Sequence, residues 1–351
     1  MPTLYNWFER EYERLETEGK GELVKQFDAF RRAFLDYEYR AALDAIPVLH
    51  ELTDALGEPG MRLATDYYRM AAETYWLGNL AHGLDIATQS TVRARSVLYA
   101  GEVLELYLRI DLLFAWLDTD GPGYAAEVLA AFNEMPGYLP RDLAVRFKIL
   151  HVYDLMHGGA TEEALAMIFA ILSELGEDWP RPFHHFMRAD ALARVGRLEE
   201  ALADYRTAMQ GFNRMGHTIE GVAMQINAGS TLVEMGRVEE GLEALEAAYS
   251  AAGRSLNRAH VGMAQGAIGG ALTRLECYAE AVEWFTGALG TLDGLGWLRL
   301  EAELALERLR VARQWGGAAE RWGAWESDAW RRVGYLRSTD LRDELAGIDG
   351  E

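Results

Sequence analysis

IEGVAMQINAGSTLVEMGRVEEGLEALEAAYSAAG, residues Ile219–Gly253, holds two helical patterns on either side of one turn signal, Met235-Gly236-Arg237. Gly236 ends the first pattern, since glycine adopts the left-handed cap conformation at little cost. Glu239 and Glu240 then fall in the first turn of the next helix, where the helix dipole favours negative charge. Gly229 before the turn and Gly241 after it are points where two helices can approach closely, and Leu242 follows as a core side chain.

The same pattern stands on both sides of this stretch. VGRLEEALADYR starts at Val195, MGRVEEGLEALE at Met235 and LECYAEAVEWFT at Leu275, forty residues apart twice in succession. GGATEEALAMIF from Gly158 fits the frame 37 residues before Val195. Weaker copies, LDYEYRAALDAI, WLGNLAHGLDIA and GPGYAAEVLAAF, lie around Tyr37, Gly78 and Gly123, and a degraded one, QWGGAAERWGAW, surrounds Gly316. The small residue of the preceding helix recurs as Ala189, Gly229 and Gly269; Ala71 and Asp111 keep the spacing upstream, the aspartate being a poor match. Each unit is a helical hairpin that cannot bury its apolar face alone, so neighbours must stack.

The repeat resembles the tetratricopeptide repeat family in a longer variant of roughly forty residues, over about residues 21 to 325. Asn227-Ala228-Gly229 stands where family repeats often read Asn-Leu-Gly. The helix-ending proline of the family is missing, with Gly216, Gly253 and Gly296 as punctuation instead. A HEAT-like array shares the period but lacks the Gly-x-x-x-Glu-small-Leu turn. The resemblance implies an all-α, right-handed superhelical solenoid of about eight hairpins with capping helices at both ends. Residues 1–20 read as the N-terminal capping helix, with Tyr5, Phe8, Tyr12 and Leu15 on one face. Residues 21–325 are the array, and 326–351 a closing helix with an acidic tail.

Composition agrees with many uninterrupted helices: half the residues are apolar and only 8 are proline. A net charge of −21 repels polyphosphate, which argues against general nucleic-acid binding. The single cysteine, Cys277, excludes a disulfide framework and any multi-cysteine metal site. Glu9, Arg10 and Glu11 interrupt the N-terminus where a signal peptide is apolar, and the longest apolar run, Ala164–Leu172, is too short to span a bilayer. A cytoplasmic protein without a membrane partner is expected.

No catalytic constellation stands out. Gly19-Lys20 lacks the upstream glycine of a phosphate loop, and Gly121-Pro122-Gly123 is a helix stop with no preceding strand. The neighbours His184 and His185 diverge by about 100 degrees on a helix, and His151 and His157 are six apart, so neither pair has metal-ligand spacing. Cys277 has no base at a diagnostic position. Neither enzyme chemistry nor a cofactor is expected.

In the resembled family the first helices of the hairpins line a concave face that commonly holds peptides. Counting from the small contact residue, offsets −3, +1, +4 and +5 form one stripe. It selects Tyr68, Tyr75 and Trp76, then Trp116, then Tyr153 in the N-terminal half. In the C-terminal half it selects Asp190 and Arg194, Ser230 and Glu234, Thr273 and Arg274, and finally Arg310 and Arg313. Asn227 holds the place from which family members grip peptide backbone, while Arg69, Arg109, Leu150, Met187, Ala267 and Glu307 fill the equivalents. Arginines suit a carboxylate, so an acidic or C-terminal-carboxylate peptide is the expected ligand. From Arg308 to Arg342, eight arginines face four acidic residues with Trp315, Trp322, Trp325 and Trp330 interleaved, either a cap or a partner surface.

The leading expectation is a non-catalytic adaptor binding a protein or peptide. Its alternative is a regulatory sensor in the style of peptide-pheromone receptors, Rap-type phosphatases or the sensor arrays of transcription activators, although residues 1–60 show neither a helix-turn-helix nor a recognisable phosphatase bundle. Self-association into a homo-oligomer is compatible with either.

Overall fold

The computed structural model describes residues 4–98, 102–120, 139–157, 160–175, 181–336 and 339–349. The weak repeat around Gly123 lies outside them. Seventeen α-helices and no strand occur among the described residues. The chain divides into two compact units, residues 1–76, 80–116 and 126–150 in the first, residues 77–79, 117–125 and 151–351 in the second.

The first unit contains α1 (Leu4–Thr17), α2 (Gly21–Leu35), α3 (Tyr39–Leu56), α4 (Pro59–Ala71), α5 (Leu80–Val97) and the greater part of α6 (Val103–Asp120) and α7 (Arg141–His157). A π-helical turn, Ala72–Trp76, continues α4. Its centre is aromatic. Phe8, Phe27, Phe30 and Phe34 surround the Tyr68 ring, and Trp76 stacks on Phe34 with centroids 4.2 Å apart. On α1 the buried face is Trp7, Phe8 and Leu15, whereas Tyr5 is 56% exposed. The expected face is therefore rotated: Trp7 enters the core because its indole Nε1–H finds Glu102 at 3.0 Å, and Tyr5 stays outside beside Arg31.

Asp111, the poor match among the small contact residues, has a physical explanation. Its side chain is 1% exposed and pairs with Arg146 of α7, one arm of which reaches it at 3.3 Å. Arg146 also lies over the rings of Tyr107 and Phe114. An ion pair fills the place where other hairpins use a small residue. Burial pushes the Asp111 carboxyl above its ordinary range, and the guanidinium beside it offsets only part of that shift.

The second unit follows the forty-residue turn register closely. Its helices, after the end of α7, are α8 (Thr161–Leu175), α9 (Arg181–Arg194), α10 (Leu198–Arg214), α11 (Thr218–Glu234), α12 (Val238–Ala252), α13 (Arg258–Arg274), α14 (Tyr278–Leu292), α15 (Leu298–Trp315), α16 (Trp322–Tyr335) and α17 (Asp340–Asp349). Left-handed backbone occurs at Gly196, Gly236, Glu276 and Gly316, each forty residues after the last. In three of these turns the sixth residue returns to close the helix: Arg197, Arg237 and Cys277 donate their N–H to Leu192, Leu232 and Leu272, each at 2.9 Å. Gly253, expected to punctuate, is instead right-handed with φ −63, while Gly216 and Gly296 are left-handed.

The small residues sit at close helix crossings. A Cβ on Gly229 would meet Leu245 at 2.8 Å, and one on Gly241 would meet the Gly229 carbonyl at 2.9 Å. α9 through α15 pack in chain order, and first helix α11 also touches first helix α13. First and second helices thus form two layers with one continuous core running from Val222 to Leu345. Each fully buried leucine or phenylalanine in it, such as Leu245 or Phe285, contributes about 1.5–3 kcal/mol. At the end of this series α16 runs across residue 325, the expected end of the array, and α17 packs on both α15 and α16.

Candidate functional site

The first helices of the second unit enclose a cleft of about 780 Å³. On α11 its wall is Ile226, Ser230, Val233 and Glu234; on α13 it is Gly266, Gly270, Thr273 and Arg274. These are the residues at offsets −3, +1, +4 and +5 from Gly229 and Gly269. The floor is small and apolar, with Met263, Ala267 and Leu304, because the first helices carry glycine or alanine where bulk would fill the space. A smaller hollow of about 400 Å³ adjoins it, sharing Ser230 and Glu234 and adding Asp190, Arg194, Tyr205 and Asn227.

Arg194, Asn227, Glu234 and Arg274 are therefore brought together. Glu234 and Arg274 occupy equivalent turns of neighbouring helices. Neither has an opposite charge within ion-pair distance among the described residues, yet the arginine acts on the carboxylate through space. Burial pushes the Glu234 carboxyl above its ordinary range, and Arg274 works against that shift. Arg194 lies 3.7 Å from Asp190, a loose contact that leaves its guanidinium 40% exposed.

The other expected residues are placed differently. Arg310 and Arg313 hold the C-terminal helix: Arg310 bridges Glu307 and Glu344, and Arg313 reaches Glu326 at 3.1 Å and the Ile348 carbonyl. Neither lines the cleft, because α17 covers that end of α15. Tyr68 and Trp76 are 6% and 3% exposed, so their rings are core of the first unit rather than an open platform. Tyr75 is exposed in the same unit and Trp116 half-buried there, while Tyr153 is half-buried in the second unit.

The charge of the lining does not favour the expected acidic ligand. Six carboxylates, Asp190, Glu234, Glu303, Glu307, Asp340 and Glu344, line the two hollows together with Arg194, Arg274 and Arg299. Arg299 serves Glu303 at 3.0 Å and Asp340 at 2.7 Å at once, as Arg310 serves Glu307 and Glu344. Negative charge exceeds positive even with Arg310 included, so the arginines expected to attract a carboxylate are already outnumbered.

Two further groups were missed because the motif frame does not contain them. Glu220 and His260 are equivalent residues forty apart, on α11 and α13, and each has a buried atom with no hydrogen-bond partner among the described residues. Burial pushes Glu220 up to about 7 and His260 down to about 4. Of the conspicuous histidines, His185 belongs to a structural cluster. Its Nδ1 lies 2.7 Å from Asp204, which Arg188 also binds at 2.5 Å. Burial pushes Asp204 upward, but these hydrogen bonds hold its carboxyl below the ordinary range. Among the described residues there is no group of three or more metal-ligating side chains, and no helix is long and apolar enough to cross a membrane.

No protein-family model matches the chain. No curated protein matches it in sequence either. Solved structures do. A Rap protein complexed with competence and sporulation factor is 11% identical, with a TM-score of 0.63, over 82% of this chain and 80% of that one. A signal-transduction ATPase with numerous domains and a tetratricopeptide repeat sensor, from Pyrococcus horikoshii, is also 11% identical, with a TM-score of 0.52, over 90% of this chain and 50% of that one. At such identities the likeness is one of fold: a tetratricopeptide-like, all-helical repeat fold.

Proposed function

We propose that the second unit binds a short peptide, or an extended segment of a partner protein, in the cleft between α11, α13 and α15, and that it does so without catalysis. The observation that carries this reading is the cleft itself. A floor of small and apolar side chains with charged and amide groups on its rim suits a peptide, whose side chains take the floor and whose backbone takes Asn227 and Ser230. The Rap protein solved with competence and sporulation factor is a precedent for a protein of this fold holding a factor.

A regulatory role, in which the bound segment signals rather than tethers, is the second reading. Its support is the fold likeness to that Rap protein and to a repeat described as a sensor.

Gly270 supplies the test. It lines the cleft, and a Cβ built on it meets nothing within 4 Å, so a side chain there enters open space. Gly270→Trp is expected to leave the melting temperature unchanged and to weaken binding of pooled hexapeptides at least about tenfold from a Kd near micromolar, on the order of −8 kcal/mol. Undiminished binding in a folded Gly270→Trp protein would show that the cleft is not the site.

A further inference from the structure

Carboxylates outnumber guanidiniums in the cleft and the hollow beside it. Arg299 is forked between Glu303 and Asp340, and Arg310 between Glu307 and Glu344, so two guanidiniums serve four carboxylates. The remaining charges, Asp190 with Arg194 and Glu234 with Arg274, balance one another. The surplus negative charge thus lies on the wall formed by α15 and α17. There the Glu303 side chain remains 44% exposed and lines the same cleft as Leu300, Met263 and Ala267. Burial, with Asp340 nearby, raises the Glu303 carboxyl above its ordinary range and Arg299 only partly opposes this, so a further cation there would favour the charged form.

Resting on the peptide-binding reading above, we propose that the occupant presents an arginine or lysine side chain to Glu303, with Asp340 and Glu344 behind it, and lays an uncharged residue on the Met263–Ala267 floor. A long basic side chain fits both demands at once, because its methylenes pack on apolar surface while the cationic head reaches the carboxylates. The protein's net charge of −21 adds a long-range pull on such a ligand and opposes an acidic one.

The test uses three pools of hexapeptides with free termini, carrying arginine, glutamine or glutamate at the third position and uncharged residues elsewhere. Fluorescence anisotropy would follow their binding to the full chain and to Glu303→Gln and Glu344→Gln. The arginine pool is expected to bind about tenfold tighter than the glutamine pool, as a charge-assisted contact allows. That preference should shrink severalfold in each variant and at high ionic strength. Helix content read by circular dichroism identifies a variant that has failed to fold, and the other variant then decides. Equal affinity for the three pools, or preference for glutamate, would overturn the cationic assignment and leave the peptide-binding reading standing. No binding of any pool would overturn both.

Discussion

Gly229→Leu is expected to lower the urea midpoint and to cost roughly 2–3 kcal/mol, a typical penalty for overpacking a close contact. The leucine would be built where even its Cβ lies 2.8 Å from Leu245 and where the facing Gly241 carbonyl stands at 3.3 Å. Neither can retreat cheaply, because Leu245 is fully buried and the carbonyl belongs to helix backbone. Gly270→Leu makes the comparison sharp. It occupies the same kind of helix but faces the open cleft, so it should be neutral or gain up to about 0.8 kcal/mol from leucine's better helix propensity. Cys277→Ser, exposed in a turn, should stay within about 0.5 kcal/mol. Equal midpoints for the two glycine variants would mean that Gly229 is not at a helix crossing.

The second large effect concerns the first unit. Asp111→Ala removes the anion that compensates Arg146 and leaves the guanidinium among Tyr67, Tyr107 and Phe114. Removing one partner of a buried pair costs about 3–5 kcal/mol, and the 22% exposure of the Arg146 side chain places the expectation near the lower figure. Replacing both partners, as Asp111→Leu with Arg146→Met, should recover most of the loss, since no charge is then left buried. Thermal melts of the single and double variants would measure this. A single variant as stable as the parent would show that the pair contributes nothing and that Asp111 is simply a tolerated misfit.

Local features are legible in the sequence. A turn that needs left-handed backbone leaves a local signature, so Gly196 and Gly236 announce their hairpins, and even Glu276 keeps the register with φ 59 in the place of a glycine. The lining of the cleft on α11 and α13 is legible for the same reason, being a fixed offset from a crossing point within one helix. What covers a helix face is not local. Tyr68 and Trp76 carry the stripe of a groove residue, but α1 and α2 supply Phe8, Phe27 and Phe34 to bury them. Arg310 and Arg313 keep the expected offset too, yet α17 lies over them, and nothing in their own helix signals that. Glu303 lines the cleft from outside the stripe, and Glu307 from the position equivalent to Asn227, because α17 takes over the other end of α15.

The central claim is that the cleft between α11, α13 and α15 holds a peptide, and cross-linking addresses it most directly. A hexapeptide pool carrying one benzophenone residue, irradiated on the protein and read by mass spectrometry, reports the atoms nearest the ligand. Methionine side chains react readily with such a probe, and the molecule provides an internal comparison. Met263 lines the cleft, whereas Met215, 46% exposed, stands outside it in the turn after α10. The expected result is adducts concentrated on Met263 and on cleft residues of α11 and α15, suppressed by excess unlabelled peptide. Adducts concentrated instead on Met215, or on Trp315 and Trp330 at the exposed C-terminal surface, would contradict the assignment of the cleft.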